Sequence, residues 1–374
     1  MFQLLKTSKQ NNARLGEIKT NHGIIKTPAF MPPATYGFLK SITPQDLEEI
    51  GAEIILVNAL LLDLKPSLTI IKKFKGIHNF MGWQKPILSD SGGFQAWSFQ
   101  RKNPLSKVKD EGISFISPFD GKKYLLTPKK AIEIQYQLKV DIAMVLDECA
   151  PDIKDKTYLK KSLLRTNKWA KESLETYQKL KKKIAKPPLL FGIVQGGPYL
   201  DLRKESLKFI LDLSFDGIAL GGETIGYNMA KTLELLEELR PFIPDSKPLY
   251  TMGLGAKPTD IIEVVKRGVD MFDCVNPARI ARHGELFNGK LIKDKKSVKI
   301  ESEFKEGILK IGHSRFKEDK NPIDSSCDCY TCRSFSRAYL RYLYLNKEPL
   351  YLRLATIHNL RYIMRLIETL KEII

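Results

Sequence analysis

Cysteine is scarce: five residues in 374, an odd number that does not make a disulfide framework. Cys149 and Cys274 stand singly in apolar segments, while the other three crowd into "CDCYTC" at 327–332. Long apolar runs are missing as well. The amino-terminal "MFQLLKTSKQNNARLG" has no sustained apolar core of the kind a signal peptide needs, and no run approaches the ~20 residues of a membrane span. A cytoplasmic protein with no membrane partner is expected. Acidic charge is in short supply: 43 Asp plus Glu stand against 61 Lys plus Arg, a formal charge of +18. A surplus of that size attracts polyanions at long range, nucleic acid first among them. Part of it, such as "KLKKKIAKPP" at 179–188, reads as a solvated helix end.

What is present is the composition of a soluble globular chain, 43% hydrophobic and 28% charged. Eight short apolar runs recur along it: 27–32, 52–58, 85–93, 140–148, 189–197, 215–223, 247–255 and 269–277. Helix signals lie between several of them. "TPQDLEEIGA" offers Thr43 as N-cap with Pro44 in the first turn, and 156–180 repeats apolar residues every three or four positions. Near-continuous buried strands alternating with helices predict a (β/α)8 barrel, here spanning 1–284. Alternating polar and apolar positions around Asp120-Gly121 predict a β-hairpin inserted at 113–127. From 285 the chain becomes basic and loop-like and then runs as long helices to 374.

Nearly every strand ends in a polar group or a glycine: Asn58, Asp90, Asp147 with Glu148, Gln195, Gly222 with Glu223, Gly253 and Asp273. Those ends converge on one face of a barrel, where such folds place their chemistry. A single acid there is more often a cap or salt-bridge partner; several together point to a site. Three cysteines within six residues can offer thiolates to one tetrahedral Zn2+, and a histidine would close it. By spacing alone both His313 and His358 qualify, and a ligand on a helix, as at His358, is the more rigidly held.

The motifs "DSGGFQ", "FGIVQGG", "FDGIALGGE", "MFDCVNPAR" and the "CxCxxC" with a distant His occur in order along essentially the whole chain. In this they resemble bacterial tRNA-guanine transglycosylases. The resemblance implies a barrel with a structural zinc on Cys327, Cys329, Cys332 and His358, acting as a homodimer. It implies exchange of the wobble guanine of tRNAs with a U-G-U anticodon context (those for Asp, Asn, His and Tyr) for a 7-deazaguanine base, preQ1 or alternatively queuine, in queuosine biosynthesis. By the same resemblance Asp273 is the nucleophile that traps C1′ of the ribose, and Asp90 the general acid and base. Asp147 would accept the N1–H and exocyclic amine of guanine, and Gln195 with the Gly222 N–H would address O6. Phe94 and Met252 would hold the faces of the base, and Arg279 and Arg282 would grip RNA.

The chain departs from the family pattern at 58–62, where "NTYHL" is replaced by "NALLL", and at 221–227, where "GGLAVGE" is replaced by "GGETIGY". The second change brings in Glu223 beside the substituent of the incoming base, and its carboxylate is expected to pair with the ammonium of an aminomethyl group. Ile225 favours preQ1 over the bulkier queuine. Two other classes are less well matched. A non-catalytic RNA-binding paralogue has no use for both Asp273 and Asp90, and a small-molecule lyase has none for a basic zinc module.

Overall fold

The computed structural model describes residues 2–101, 107–294 and 297–374. Its centre is an eight-stranded parallel sheet in which each strand lies beside its successor: Ala29–Met31, Ile55–Asn58, Ile87–Asp90, Ile142–Met144, Leu189–Val194, Gly217–Leu220, Leu249–Thr251 and Met271–Asp273. The eighth strand pairs with the first, and the remaining gap is spanned by a parallel bridge from Pro33 to Leu56, with Ala34 N–H on Leu56 O at 2.7 Å. All eight apolar runs of the sequence therefore supply one strand each. Strands buried on both faces have no polar alternation to show, which is why they read as continuous runs.

Helices return the chain between strands. Thr43 caps the helix Pro44–Glu49 through a capping box with Asp46, and Asp155 caps the long helix Lys156–Lys181, whose last turn is basic and solvated. The insertion after the third strand is a three-stranded antiparallel sheet, Lys107–Lys109, Gly112–Ile116 and Lys123–Leu126. It holds the expected hairpin, turned at Gly121 with φ +69°, plus one further strand. Trp169 Nε1 donates to Asp110 O, which ties this insert to the long helix.

Two features were not anticipated. Residues 2–27 form an antiparallel sheet, Phe2–Thr7, Arg14–Thr20 and Gly23–Thr27. It is lashed to the amino-terminal ends of the barrel strands by a buried Arg14–Asp270 pair at 2.5 Å and by His22 and His78, each bonded to a different oxygen of Asp141. The segment after 285, expected as loop, forms two antiparallel pairs, Glu285–Phe287 with Ile308–Lys310 and Lys290–Asp294 with Ser297–Glu301. Their outward positions are mostly charged, so the two-residue period is diluted in sequence although Leu286, Phe287, Val298 and Leu309 are buried. The helix Pro349–Ile373 then packs on Asn276–Arg282 and returns the carboxyl terminus to the barrel wall. Among the described residues no helix is long and apolar enough to cross a membrane.

Candidate active site

Parallel register builds the first half of the site. Asn58 and Asp90 are the last residues of adjacent strands and are direct partners. The Asn58 side-chain oxygen caps the helix Ala59–Leu64 by accepting from Leu61 N–H at 2.9 Å, which leaves its amide nitrogen to donate to Asp90 Oδ1 at 2.5 Å. Gly92 follows with φ +86°, and a Cβ there would lie 2.2 Å from that of Leu60. The "DSGG" turn is thus pressed against the neighbouring strand end, where only glycine fits.

Asp273 ends the eighth strand on the same face. Its Oδ1 accepts from the Tyr250 hydroxyl at 2.7 Å and from Gly253 N–H at 3.1 Å. Asp147 follows the fourth strand, and Gln195 Nε2 donates to its Oδ2 at 2.6 Å. Burial drives the carboxyl of Asp90 up to about 8, against the pull of Asn58 and with the help of the charges on Asp273 and Asp147. Burial likewise raises Asp147 to about 6, opposed by Gln195 and assisted by Glu148. Asp273 is raised by burial and held back by Tyr250 and Gly253. Near neutrality the arrangement therefore favours a protonated Asp90 beside the more readily ionised Asp147.

These groups face a cavity of about 380 Å3. Asp90, Asp147 and Asp273 line it together with Phe94, Gly222, Glu223, Met252 and Arg279. Two of the expected residues do not reach its wall. Gln195 is fully buried behind Asp147, and the half-buried Arg282 donates to Ala278 O on its own helix at 2.7 Å. Glu223 contributes to the wall while its Oε2 accepts from Asp152 N–H at 3.4 Å. Sequence reasoning passed over Tyr250, the contact of Asn58 with Asp90, and Cys149, whose thiol lines the cavity and is pushed far up by burial. Tyr250 lies inside an apolar strand, so its type alone carried no sign of function. Asn58 had been marked only as a polar strand end.

The second cluster lies in the carboxy-terminal segment. Cys327, Cys329, Cys332 and His358 bring their ligand atoms within 4.8 Å of one another. His358 Nδ1 is 3.2 Å from the Cys332 sulfur and 3.7 Å from that of Cys329, bracketing the ~3.6 Å edge expected for one zinc held tetrahedrally by sulfur and nitrogen. The other ring nitrogen, Nε2, donates to Phe287 O at 2.7 Å, which fixes the tautomer that presents a lone pair to the thiols. The donor set fits a metal ion. His313 is not part of it; its Nδ1 accepts from Arg315 N–H instead.

A family profile described as "Queuine tRNA-ribosyltransferase" matches residues 8–374. Three similar proteins carry the same description. The one from Psychrobacter sp. is 45% identical over 374 residues, covering 100% of this chain and 93% of the relative. That from Halothermothrix orenii is 44% identical over 370 residues, 99% and 92% of the two chains. That from Thermoanaerobacter pseudethanolicus is 45% identical over 373 residues, 100% and 93%. With its barrel, its three converging carboxyl groups and its Cys3His cluster, the chain belongs to the queuine tRNA-ribosyltransferase family.

Proposed function

We propose that this cavity exchanges the wobble guanine of tRNAs with a U-G-U anticodon context for a 7-deazaguanine base, through a covalent link between Asp273 and the ribose. At the coarser level the chain is an enzyme of the tRNA-guanosine transglycosylase class, and tRNA is its partner. The observation that carries the finer reading is the facing of Asp90 and Asp273 across one cavity, with Asp90 held near 8.

In this reading Asp273 attacks C1′ as the bond to the purine nitrogen breaks. The Tyr250 hydroxyl and the Gly253 N–H both donate to Oδ1, which supports Oδ2 as the attacking atom. Asp90, a neutral acid at pH 7, gives its proton to the departing guanine and takes one from the incoming base, which then displaces Asp273 from C1′. Asp147 accepts the N1–H and amine of the base, held in place by the Gln195 amide behind it, and the Gly222 N–H is directed to O6. Phe94 and Met252 cover its faces. The target nucleotide leaves its stack more cheaply in a loop than in a duplex. Arg279, exposed at the cavity mouth, and Arg282 beside it are assigned to the RNA backbone.

The buried Ile225 in the wall supports a small substituent, and hence preQ1 over queuine. The Cys3His group would hold a structural Zn2+ with no open position, stapling 327–332 to the final helix. The division into a barrel of 1–284 and a zinc-held segment of 285–374 belongs to the same proposal. So do action in the cytoplasm and a homodimer, the latter supported by the exposed Tyr339 and Tyr342 on one helix. Sedimentation checks the dimer. The reaction is tested by mass spectrometry of tRNA after incubation with guanine, preQ1 or queuine separately. PreQ1 at the wobble nucleoside is expected, and no incorporation of any base would overturn the reading.

A further inference from the structure

Arg203 is fully buried in the first turn of the helix Leu200–Leu211, directly behind the cavity wall. All three of its hydrogen bonds go to backbone carbonyls: Nη1 to Val194 O at 2.9 Å and to Gly221 O at 2.8 Å, and Nε to Gly197 O at 2.9 Å. Those carbonyls belong to the ends of two adjacent strands, the fifth and the sixth. Nη2 makes no hydrogen bond, and burial pulls the guanidinium down to about 10. A guanidinium buried with an unused N–H group is a costly way to hold a loop. It is placed where the orientation of one peptide matters.

That peptide is Gly221–Gly222. Gly221 N–H donates to Val194 O at 3.1 Å, Gly222 O accepts from Ile225 N–H at 3.1 Å, and Glu223 N–H donates to Ala150 O at 3.0 Å. With Gly221 O on Arg203, the Gly222 N–H must point the opposite way, because C=O and N–H are antiparallel across a trans peptide. The opposite way is toward Cys149, which it touches, and the cavity that both residues line. Gly222 has φ +95°, and a Cβ on it would come 2.7 Å from Gln195 Oε1. Two consecutive glycines leave this peptide with little intrinsic preference between its two faces. Flipped, it would present a carbonyl to the cavity where a donor now stands.

We infer that Arg203 is a specificity-determining positioning residue: by holding the Gly221 carbonyl it keeps the Gly222 N–H facing the cavity, and so selects an incoming base with a good acceptor at position 6. This rests on the base-exchange reading above. It does not require Arg203 to touch substrate.

The test compares kcat/KM for guanine and 6-thioguanine in tRNA base exchange at pH 7. The two bases share N1–H and the 2-amine, and the second carries a poor acceptor at position 6. The parent protein should prefer guanine, and Arg203→Gln should lose about two- to tenfold of that preference, the worth of one neutral hydrogen bond. Arg203→Lys, which can still reach one carbonyl, should retain part of it. Unfolded protein cancels from the ratio, so a partly destabilised variant still reports. If both variants lower activity with the guanine preference unchanged, Arg203 serves only to stabilise the fold and the inference is overturned. If the parent protein exchanges no guanine at all, it is the base-exchange reading that fails.

Discussion

Replacing Asn58 with serine should move the alkaline limb of the pH profile upward. In the native protein the Asn58 amide donates to Asp90 Oδ1 at 2.5 Å, and this bond is the largest influence opposing burial in setting that carboxyl near 8. Serine can keep the second duty of the side chain, since its hydroxyl oxygen can accept from Leu61 N–H and preserve the helix cap. It cannot donate to Asp90 across the same gap. A donor to a carboxylate favours the ionised form, so its loss favours the acid. A hydrogen bond to a charged group is worth roughly 1.5–3 kcal/mol, and each pKa unit about 1.36 kcal/mol, which gives about one to two units. Water entering the gap restores part of this, so the lower figure is the expected one. Guanine exchange into tRNA, measured as kcat/KM from pH 5.5 to 10, should show a limb at about 8 in the parent moving toward ~9 in the variant. The acid limb, assigned to Asp147 at about 6, should stay in place. The limbs are properties of coupled carboxyl groups, so the comparison is between whole profiles. An alkaline limb that stays put, or moves down, would refute the assignment of Asp90 as the acid.

Asp273→Asn should bind tRNA but form no denaturation-resistant complex with it, because an amide is a poor nucleophile for C1′; gel analysis under denaturing conditions decides this, and undiminished base exchange would reject the role. Cys329→Ser should lower zinc content and melting temperature together, with limited proteolysis concentrating after residue 284. Stoichiometric zinc in a His358→Ala variant, at parental affinity, would remove His358 from the ligand set. Glu223→Gln should raise KM for an aminomethyl base by about one to two powers of ten and barely change guanine exchange. Equal effects on both bases, or none on either, would sink the ion pair and leave Glu223 as the cap on Asp152 N–H that its geometry already provides.

The barrel was legible because each buried strand is an apolar run closed by a polar group or glycine, and parallel register carries that ending to one face. Asp90, Asp147 and Asp273 could be singled out for this reason, each standing at or just beyond a strand end. The Cys3His cluster was legible from spacing, but the placing of its histidine depends on Phe287, whose carbonyl orients His358 from 71 positions away. Contacts of that span leave no local pattern. The same is true of Tyr250, which meets Asp273 only because adjacent strands bring it there, and of Arg203, whose three carbonyl partners come from two strand ends. The amino-terminal sheet escaped notice for a different reason. Its outer strand Phe2–Thr7 is largely exposed, and its pairing is interrupted between Leu4 and Lys6, so neither burial nor a clean alternation marks it.

The cavity is acidic although the protein is strongly basic. Asp90, Asp147, Asp273 and Glu223 line it, and among the described wall residues Arg279 is the cation. A surface carrying a surplus of +18 can draw tRNA from a distance, but that attraction is screened over ~8 Å at physiological salt and does not reach through the wall to the reacting atoms. Within the cavity a different balance applies. Breaking a bond from C1′ to a purine develops positive charge on the sugar, and a carboxylate in a desolvated site stabilises that charge far better than one in water. Packing three ionised carboxylates together would be prohibitive, and the structure avoids it by keeping Asp90 neutral near pH 7, since burial and the charges of its neighbours both disfavour its ionised form. The raised pKa of Asp90 is therefore not an incidental cost of burial. In the proposed reaction it would let one carboxyl group carry the proton that the leaving base needs while adding no second negative charge beside Asp273.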